Sequence, residues 1–269
     1  MRDVNEIQNA MITRFRSELW AKFVRAVKDY RLIDAGDHVA VAISGGKDSL
    51  ILAKLVEELA RHGERPFTVS YLAMDPGYLP EKRAELERNL DAMGIPATIV
   101  DSDIFAVTDR VGEKSPCYLC ARMRRGFLYA KAKELGANKL ALGHHFDDVI
   151  ETILLNLLYA GSYKSMLPKL TAKNFPEMEL IRPLYLIRER DIIRFRDYIG
   201  LSALDCACTV TARPEGSKRA EVRALIRTLE QENPLIPMSI FRSQENVNCD
   251  LVLGYSVDGI RYARKDQHA

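Results

Sequence analysis

The chain has 269 residues, of which 47% are hydrophobic, enough to bury a sizeable core as one large domain or as a main domain with appendages. Its formal charge of +2 excludes a general polyanion binder, so a nucleic-acid surface must be a local patch. No apolar run approaches the roughly 18 residues that span a bilayer, and the start MRDVNEIQNA lacks the apolar stretch of a secretory signal, which makes a cytoplasmic protein without membrane partners the default.

The first element is a helical extension over residues 1–36. Met11, Phe15, Leu19, Phe23 and Val24 form an apolar stripe, with Arg14, Arg16, Lys22, Arg25, Lys28 and Arg31 largely off it. Such a basic amphipathic segment rests on its own core, on RNA or on a membrane. His38 to Ile43 then reads as a short buried strand, and Leu50 to Leu59 as a helix with Ile51, Leu55 and Leu59 on one face.

Between them lies Ser44-Gly45-Gly46-Lys47-Asp48-Ser49, at the turn from strand to helix. Glycines let a backbone approach a phosphate, and the free N–H groups and positive dipole end of the helix point at it. Lys47 adds a point charge, while Asp48 and Ser49 supply oxygens for a magnesium ion or a helix cap. Adjacent glycines exclude the G-x-x-x-x-G-K-[ST] phosphate loop, and the G-x-G-x-x-G dinucleotide spacing is absent too. An ordinary Ser/Gly turn is the alternative.

Phe67 to Ala73 is the second strand. A helix carrying Leu86, Leu90 and Met93 follows, stopped by Gly94, and Ala97 to Val100 is the third strand. Pro116-Cys117-Tyr118-Leu119-Cys120 opens a helix that runs from Tyr118 to Leu135. A C-x2-C at such a turn aims two thiolates at one metal, and a lone pair cannot fill a tetrahedral site. Cys206 and Cys208 are the candidates to complete it, with Cys249 more remote. Three cysteines suit a [4Fe-4S] cluster with one open iron, four suit zinc or a fully ligated cluster, and a redox pair is the third reading.

Lys139 to Leu142 makes the fourth strand, followed by Gly143-His144-His145-Phe146-Asp147-Asp148 and a helix from Asp147 to Tyr159. Two aspartates there are good dipole partners. With two histidines, and a glycine that permits close approach, they also read as a magnesium or acid–base cluster, with Glu151 and Thr152 one turn on. Glu179 to Arg182 is the fifth strand and Glu189 to Ile199 a further helix. Strands separated by helices predict an α/β fold: a doubly wound, mostly parallel five-stranded sheet covered on both faces, with ligands at the carboxyl ends of its strands. The domain reading is residues 1–36, 37–203 and a cysteine-containing extension over 204–269.

SGGKDS resembles the pyrophosphate loop of the N-type ATP pyrophosphatases. With PCYLCARMRRGFLYAKAKELGANKLALGHHFDDVIET and LIRPLYLIRERDIIRF it resembles the bacterial tRNA 2-thiocytidine synthetase family, over about Phe23 to Arg219. That resemblance implies ATP-dependent replacement of the C2 oxygen of an anticodon-loop cytidine by sulfur. It further implies a [4Fe-4S] cluster on three cysteines, ATP and Mg2+ as cosubstrates, and a cysteine desulfurase or other sulfur donor. Cys117 and Cys120 match the first two ligands; the third is Cys208 by order of appearance or Cys206 by strict alignment. The implied nucleotide site takes in Ala42, Ser44, Gly45, Gly46, Lys47, Asp48, Ser49, Met74, Gly143 and Asp148, with Lys47, Asp48, Cys117 and Cys120 as the reactive set. Arg122, Arg124, Arg125, Lys131, Lys164 and Lys169 are candidates for the tRNA backbone. Thiolation of a uridine, or binding of tRNA and nucleotide without modification, are the alternatives, and a homodimer stays open.

Overall fold

The computed structural model describes residues 1–102, 104, 116–172, 174–204 and 218–263, with 116–121 as helix backbone alone. At its centre lies strand β1, His38–Ile43, whose pleat sends Val39, Val41 and Ile43 into one apolar layer and the small Ala40 and Ala42 into the other. A strand buried on both faces is a near-continuous apolar run, which is how HVAVAI reads. β2 (Thr68–Asp75) and β4 (Lys139–Ala141) flank β1 in parallel, and β3 (Ala97–Asp101) and β6 (Phe175–Ile181) extend the sheet in parallel.

The sheet has six strands, ordered β3-β2-β1-β4-β6-β5, where the sequence pattern predicts five. The additional strand β5, Lys169–Ala172, pairs antiparallel with β6 at the edge. KLTA is four residues long and lies at an edge, so neither length nor an apolar run marks it, and its pairing is set by the hairpin with β6.

Helices cover both faces. α1 (Val4–Ile12), a π-helical turn (Arg16–Trp20) and α2 (Ala21–Asp29) make up the N-terminal segment, in which Asp3 caps α1 by accepting the Glu6 N–H at 2.9 Å. Met11, Phe15, Leu19 and Phe23 all lie in the same apolar cluster as the buried faces of α3 (Lys47–His62), α4 (Pro80–Met93) and α7 (Glu189–Ile199). The predicted stripe therefore faces the chain's own core, and Phe15 meets Phe195 edge-on at 5.2 Å. Each fully buried Leu or Ile of α3, such as Leu50, Ile51, Leu52 and Leu55, contributes about 1.5–3 kcal/mol.

The other face carries α5 (Pro116–Glu134), whose Leu128 and Ala132 pack against Ala40, Leu72 and Leu140. α6 (Phe146–Ala160) docks α8 (Lys218–Glu232) and α9 (Ile236–Ser243) through a third cluster that includes Phe146, Ile150, Val222, Ile226 and Phe241. A two-stranded hairpin, β7 (Gly254–Val257) with β8 (Ile260–Ala263), ends the described chain and is exposed throughout. Among the described residues no helix is long and apolar enough to cross a membrane.

Candidate nucleotide and metal site

β1 and β4 are neighbours, and the two chemistry-bearing runs leave their carboxyl ends side by side. From β1 the chain continues outward to β2, and from β4 to β6, so the pair brackets the point where strand order reverses. In open parallel sheets that crevice is where ligands sit.

The loop after β1 takes its shape from three local causes. Gly45 sits at φ +81°, a backbone region in which a side chain is strained, and Gly46 is the extended residue that precedes α3. Ser49 fastens the turn: its hydroxyl donates to the Gly46 carbonyl at 2.9 Å and accepts the Ser44 N–H at 3.1 Å. Helix α3 starts at Lys47, three residues ahead of the predicted Leu50, and its first N–H groups take no side-chain cap, which leaves them to face a ligand. Ser44 is exposed, while Ala42 and Met74 are buried together in the layer beneath α5.

GHHFDD closes onto this loop. A Cβ on Gly143 would come to 3.1 Å from the Ser49 nitrogen and 3.2 Å from the Asp48 carbonyl carbon, so glycine is what lets β4 approach the start of α3. His145 and Asp148 form a reciprocal cap on α6: the His145 N–H donates to Asp148 Oδ2 at 3.0 Å, and His145 Nδ1 accepts the Asp148 N–H at 3.4 Å. Asp147 serves as a fastener, accepting from Arg188 Nε at 3.0 Å and from the Glu189 N–H at 2.6 Å. Asp147 and Asp148 lie in the first turn of α6, as dipole partners would, and the turn before them rests against the loop.

Charge in the site is finely divided. Lys47 Nζ lies 3.2 Å from Asp48 Oδ2 and 3.1 Å from Glu189 Oε1. Burial pulls the Lys47 ammonium down, but the two carboxylates outweigh it and raise its pKa. Burial also raises Asp48, against the opposing pull of His145 and Lys47. Its Oδ1 is buried without a hydrogen-bond partner, 3.9 Å from His145 Nε2. His144 is pushed down to about 4 by burial, and its Nδ1 is likewise unpartnered. Among the described residues no cluster of three or more His, Cys, Asp or Glu side chains is arranged around a common point as metal ligands.

Cys117 and Cys120 fall in the first turn of α5, with side chains outside the described set. α5 delivers the chain to the start of β4, so its first turn belongs to the carboxyl edge of the sheet, where the loop also lies. Cys206 and Cys208 lie outside the described residues, and both flanks of their stretch are tied to the site. Before it, the Leu204 N–H donates to the Gly45 carbonyl at 3.1 Å, and a Cβ on Gly45 would fall 2.4 Å from Leu204 Cδ1. After it, Arg219 donates to Glu151 at 3.0 Å and lies 3.6 Å from Asp148, while Arg223 donates to Glu151 at 2.7 Å. Cys249 is exposed, on a short turn over Cys249–Leu251. Of the basic candidates, Lys169 is taken up by the Arg31 carbonyl and Glu179.

Several participants carry no sequence signal. Glu189 reads only as an acidic helix start, yet it reaches Lys47 across 142 positions. Leu204 likewise acts through a long-range contact.

A model of the PP-loop domain family matches residues 16–203. Among curated relatives, the tRNA-cytidine(32) 2-sulfurtransferase of Geotalea uraniireducens is 38% identical over 244 residues, covering 90% of this chain and 94% of that one. Its counterpart from Pelobacter propionicus is 39% identical over 240 residues, 88% of each chain. That of Vibrio cholerae is 37% identical over 228 residues, covering 83% of this chain and 72% of its own. Among solved structures, the U34-tRNA thiolase NcsA from Methanococcus maripaludis with its [4Fe-4S] cluster superposes with TM-score 0.66 at 23% identity, over 86% of this chain and 78% of that one.

Proposed function

Because the chain belongs to the PP-loop family, and within it to the tRNA-cytidine 2-sulfurtransferases, we propose that it is an ATP-dependent tRNA thiolase that replaces the C2 oxygen of a cytidine by sulfur. The observation that carries this reading is the contact of the Ser44–Ser49 loop with the Gly143 turn at the carboxyl ends of adjoining strands. The N–H groups at the start of α3 hold the phosphates of ATP, with the adenine along Ala42 and Met74. Lys47 stabilises charge on the phosphates as the cytidine oxygen bonds to the α-phosphorus and pyrophosphate departs. The oxygen, now carried as AMP, becomes a good leaving group when sulfur bonds to C2.

The residues present fit the two implied groups. For Mg2+, the unpartnered Asp48 Oδ1 is a free hard donor facing His145, with Asp148 in the same turn. For a [4Fe-4S] cluster, Cys117 and Cys120 are spaced one turn apart on α5, and Leu204, two residues before Cys206 in the chain, bonds the loop at Gly45. When bound on three cysteines, such a cluster supplies an iron free of protein ligands on which a sulfur donor, a cysteine desulfurase or inorganic sulfide, can load sulfur. Cys208 is the third ligand in this reading and Cys206 the alternative.

Nucleoside mass spectrometry on tRNA incubated with the protein, ATP and sulfide tests the reading, with 2-thiocytidine the expected product. Cys117→Ala should lose iron and thiolation while retaining ATP binding, and of Cys206→Ala and Cys208→Ala only one should lose iron. A 2-thiouridine product would move the reaction to another base. ATP binding without tRNA-dependent pyrophosphate release would leave a binding protein instead.

A further inference from the structure

Glu189 opens α7 directly opposite the phosphate loop. Its carboxylate takes the Lys47 ammonium at 3.1 Å, with both side chains only 18% exposed. Its backbone is anchored. The Glu189 N–H is held by Asp147 Oδ2 at 2.6 Å, and Arg188 beside it is bound by Asp147 and, with both terminal nitrogens, by Glu230. Lys47, by contrast, is a flexible four-carbon stem with a single point charge. The pair therefore consists of a carboxylate on the anchored start of a helix and a cation on the longer stem, at the site where phosphates are to be received.

We propose that Glu189 is a resident counter-anion for Lys47 that ATP must displace and that recaptures the lysine as pyrophosphate leaves, making it a positioning residue that governs product release. This rests on the ATP-pyrophosphatase reading of the loop. An anion that competes for the loop's one lysine lowers the affinity for every phosphate ligand. For substrate the loss is tolerable, because the adenine along Ala42 and Met74 adds contacts that pyrophosphate lacks; for product it is useful, because a tightly held pyrophosphate would stall turnover. The neighbouring charges agree with competition as the role: Asp48 holds Lys47 from the other side at 3.2 Å, so the lysine keeps a local partner whichever way it moves.

The test uses the full chain and Glu189→Gln, which keeps shape and removes charge. Titration calorimetry with inorganic pyrophosphate in EDTA should show binding tightened by about three- to tenfold. Steady-state pyrophosphate release should show a correspondingly stronger product inhibition. Glu189→Asp should return both toward the parent. In a Lys47→Met background, Glu189→Gln should lose at least half of its effect. Unchanged or weaker pyrophosphate binding by Glu189→Gln, with an unaltered melting temperature, overturns the inference; so does an equal gain in the Lys47→Met background. Weaker ATP binding by Glu189→Gln seen only when Mg2+ is present would make Glu189 a metal ligand and also overturn it. A parent chain that binds neither ATP nor pyrophosphate overturns the reading of the loop itself, a result distinct from all of these.

Discussion

Gly45 shows how much of a phosphate site can depend on one missing side chain. At φ +81° an L-residue is strained by about 1–2 kcal/mol, and an added Cβ would press on Leu204 at 2.4 Å. Leu204 Cδ1 is the tip of a flexible side chain, so the clash alone could relax; the backbone strain could not. Gly45→Ala is accordingly expected to lower stability by about 1–2 kcal/mol and to weaken ATP binding more than its fold, as read by thermal melting beside calorimetric titration. Loop glycines, Lys47, Asp48 and the GHHFDD residues were legible in the sequence because their meaning is local: a turn between a strand and a helix defines them. Glu189 and Leu204 were not, since an acid at a helix start and an isolated leucine have ordinary explanations, and their partners lie 142 and 159 positions away.

Among elements, α8 is held to α6 by a buried carboxylate as well as by its apolar face. Glu151, 2% exposed on α6, is satisfied by two arginines of α8, Arg219 and Arg223. Removing the charge leaves two guanidinium groups facing a neutral amide, a loss of roughly 1–3 kcal/mol. Glu151→Gln should therefore speed hydrogen exchange in Lys218–Glu232 while β1 and β2 stay protected, and equal protection across α8 in parent and variant would remove this account of its docking. Elements with strong periodicity were readable: predicted Glu189 to Ile199 is α7, and predicted Asp147 to Tyr159 differs from α6 by one residue at each end. β5 was not, because four residues at a sheet edge carry too little pattern, and the π-helical turn between α1 and α2 interrupts what the stripe alone presents as one helix.

On the scale of the molecule, carboxylates are held by donors both near and far in sequence. Asp75 accepts from the Gly77 and Tyr78 N–H groups and from Arg83; Glu179 is paired with Lys139 and Lys169; Glu230 holds Arg188 and Arg190. Burial opposes ionisation of all three, yet these donors and cations outweigh it and hold their pKa values below the ordinary range. A carboxyl with a depressed folded pKa stabilises the fold at pH above its unfolded value and loses that contribution as pH falls through its folded value. Melting temperature should thus fall as pH drops below about 6.5, where unfolded His144 takes up a proton that the folded chain refuses until about 4, and fall further below about pH 4 as these carboxyls protonate, a second decline that Glu230→Gln should soften. The parallel sheet with covered faces follows from strand and helix alternation and was legible as such. The destination of the N-terminal stripe was not, because an amphipathic helix states that it needs an apolar partner without saying which.

The bond between the Leu204 N–H and the Gly45 carbonyl has a thermodynamic meaning beyond geometry. One side of it belongs to the loop that receives phosphates, and the other leads into the stretch that carries Cys206 and Cys208. Two ligand equilibria that share a contact are linked, and linkage is reciprocal: whatever factor one ligand adds to the other's affinity is returned in full. With iron on one of these cysteines, as proposed, nucleotide should tighten iron in an equilibrium competition with a chelator, and loaded iron should tighten nucleotide by the same factor, so that an empty cysteine site would be sensed at the ATP loop before any RNA arrives.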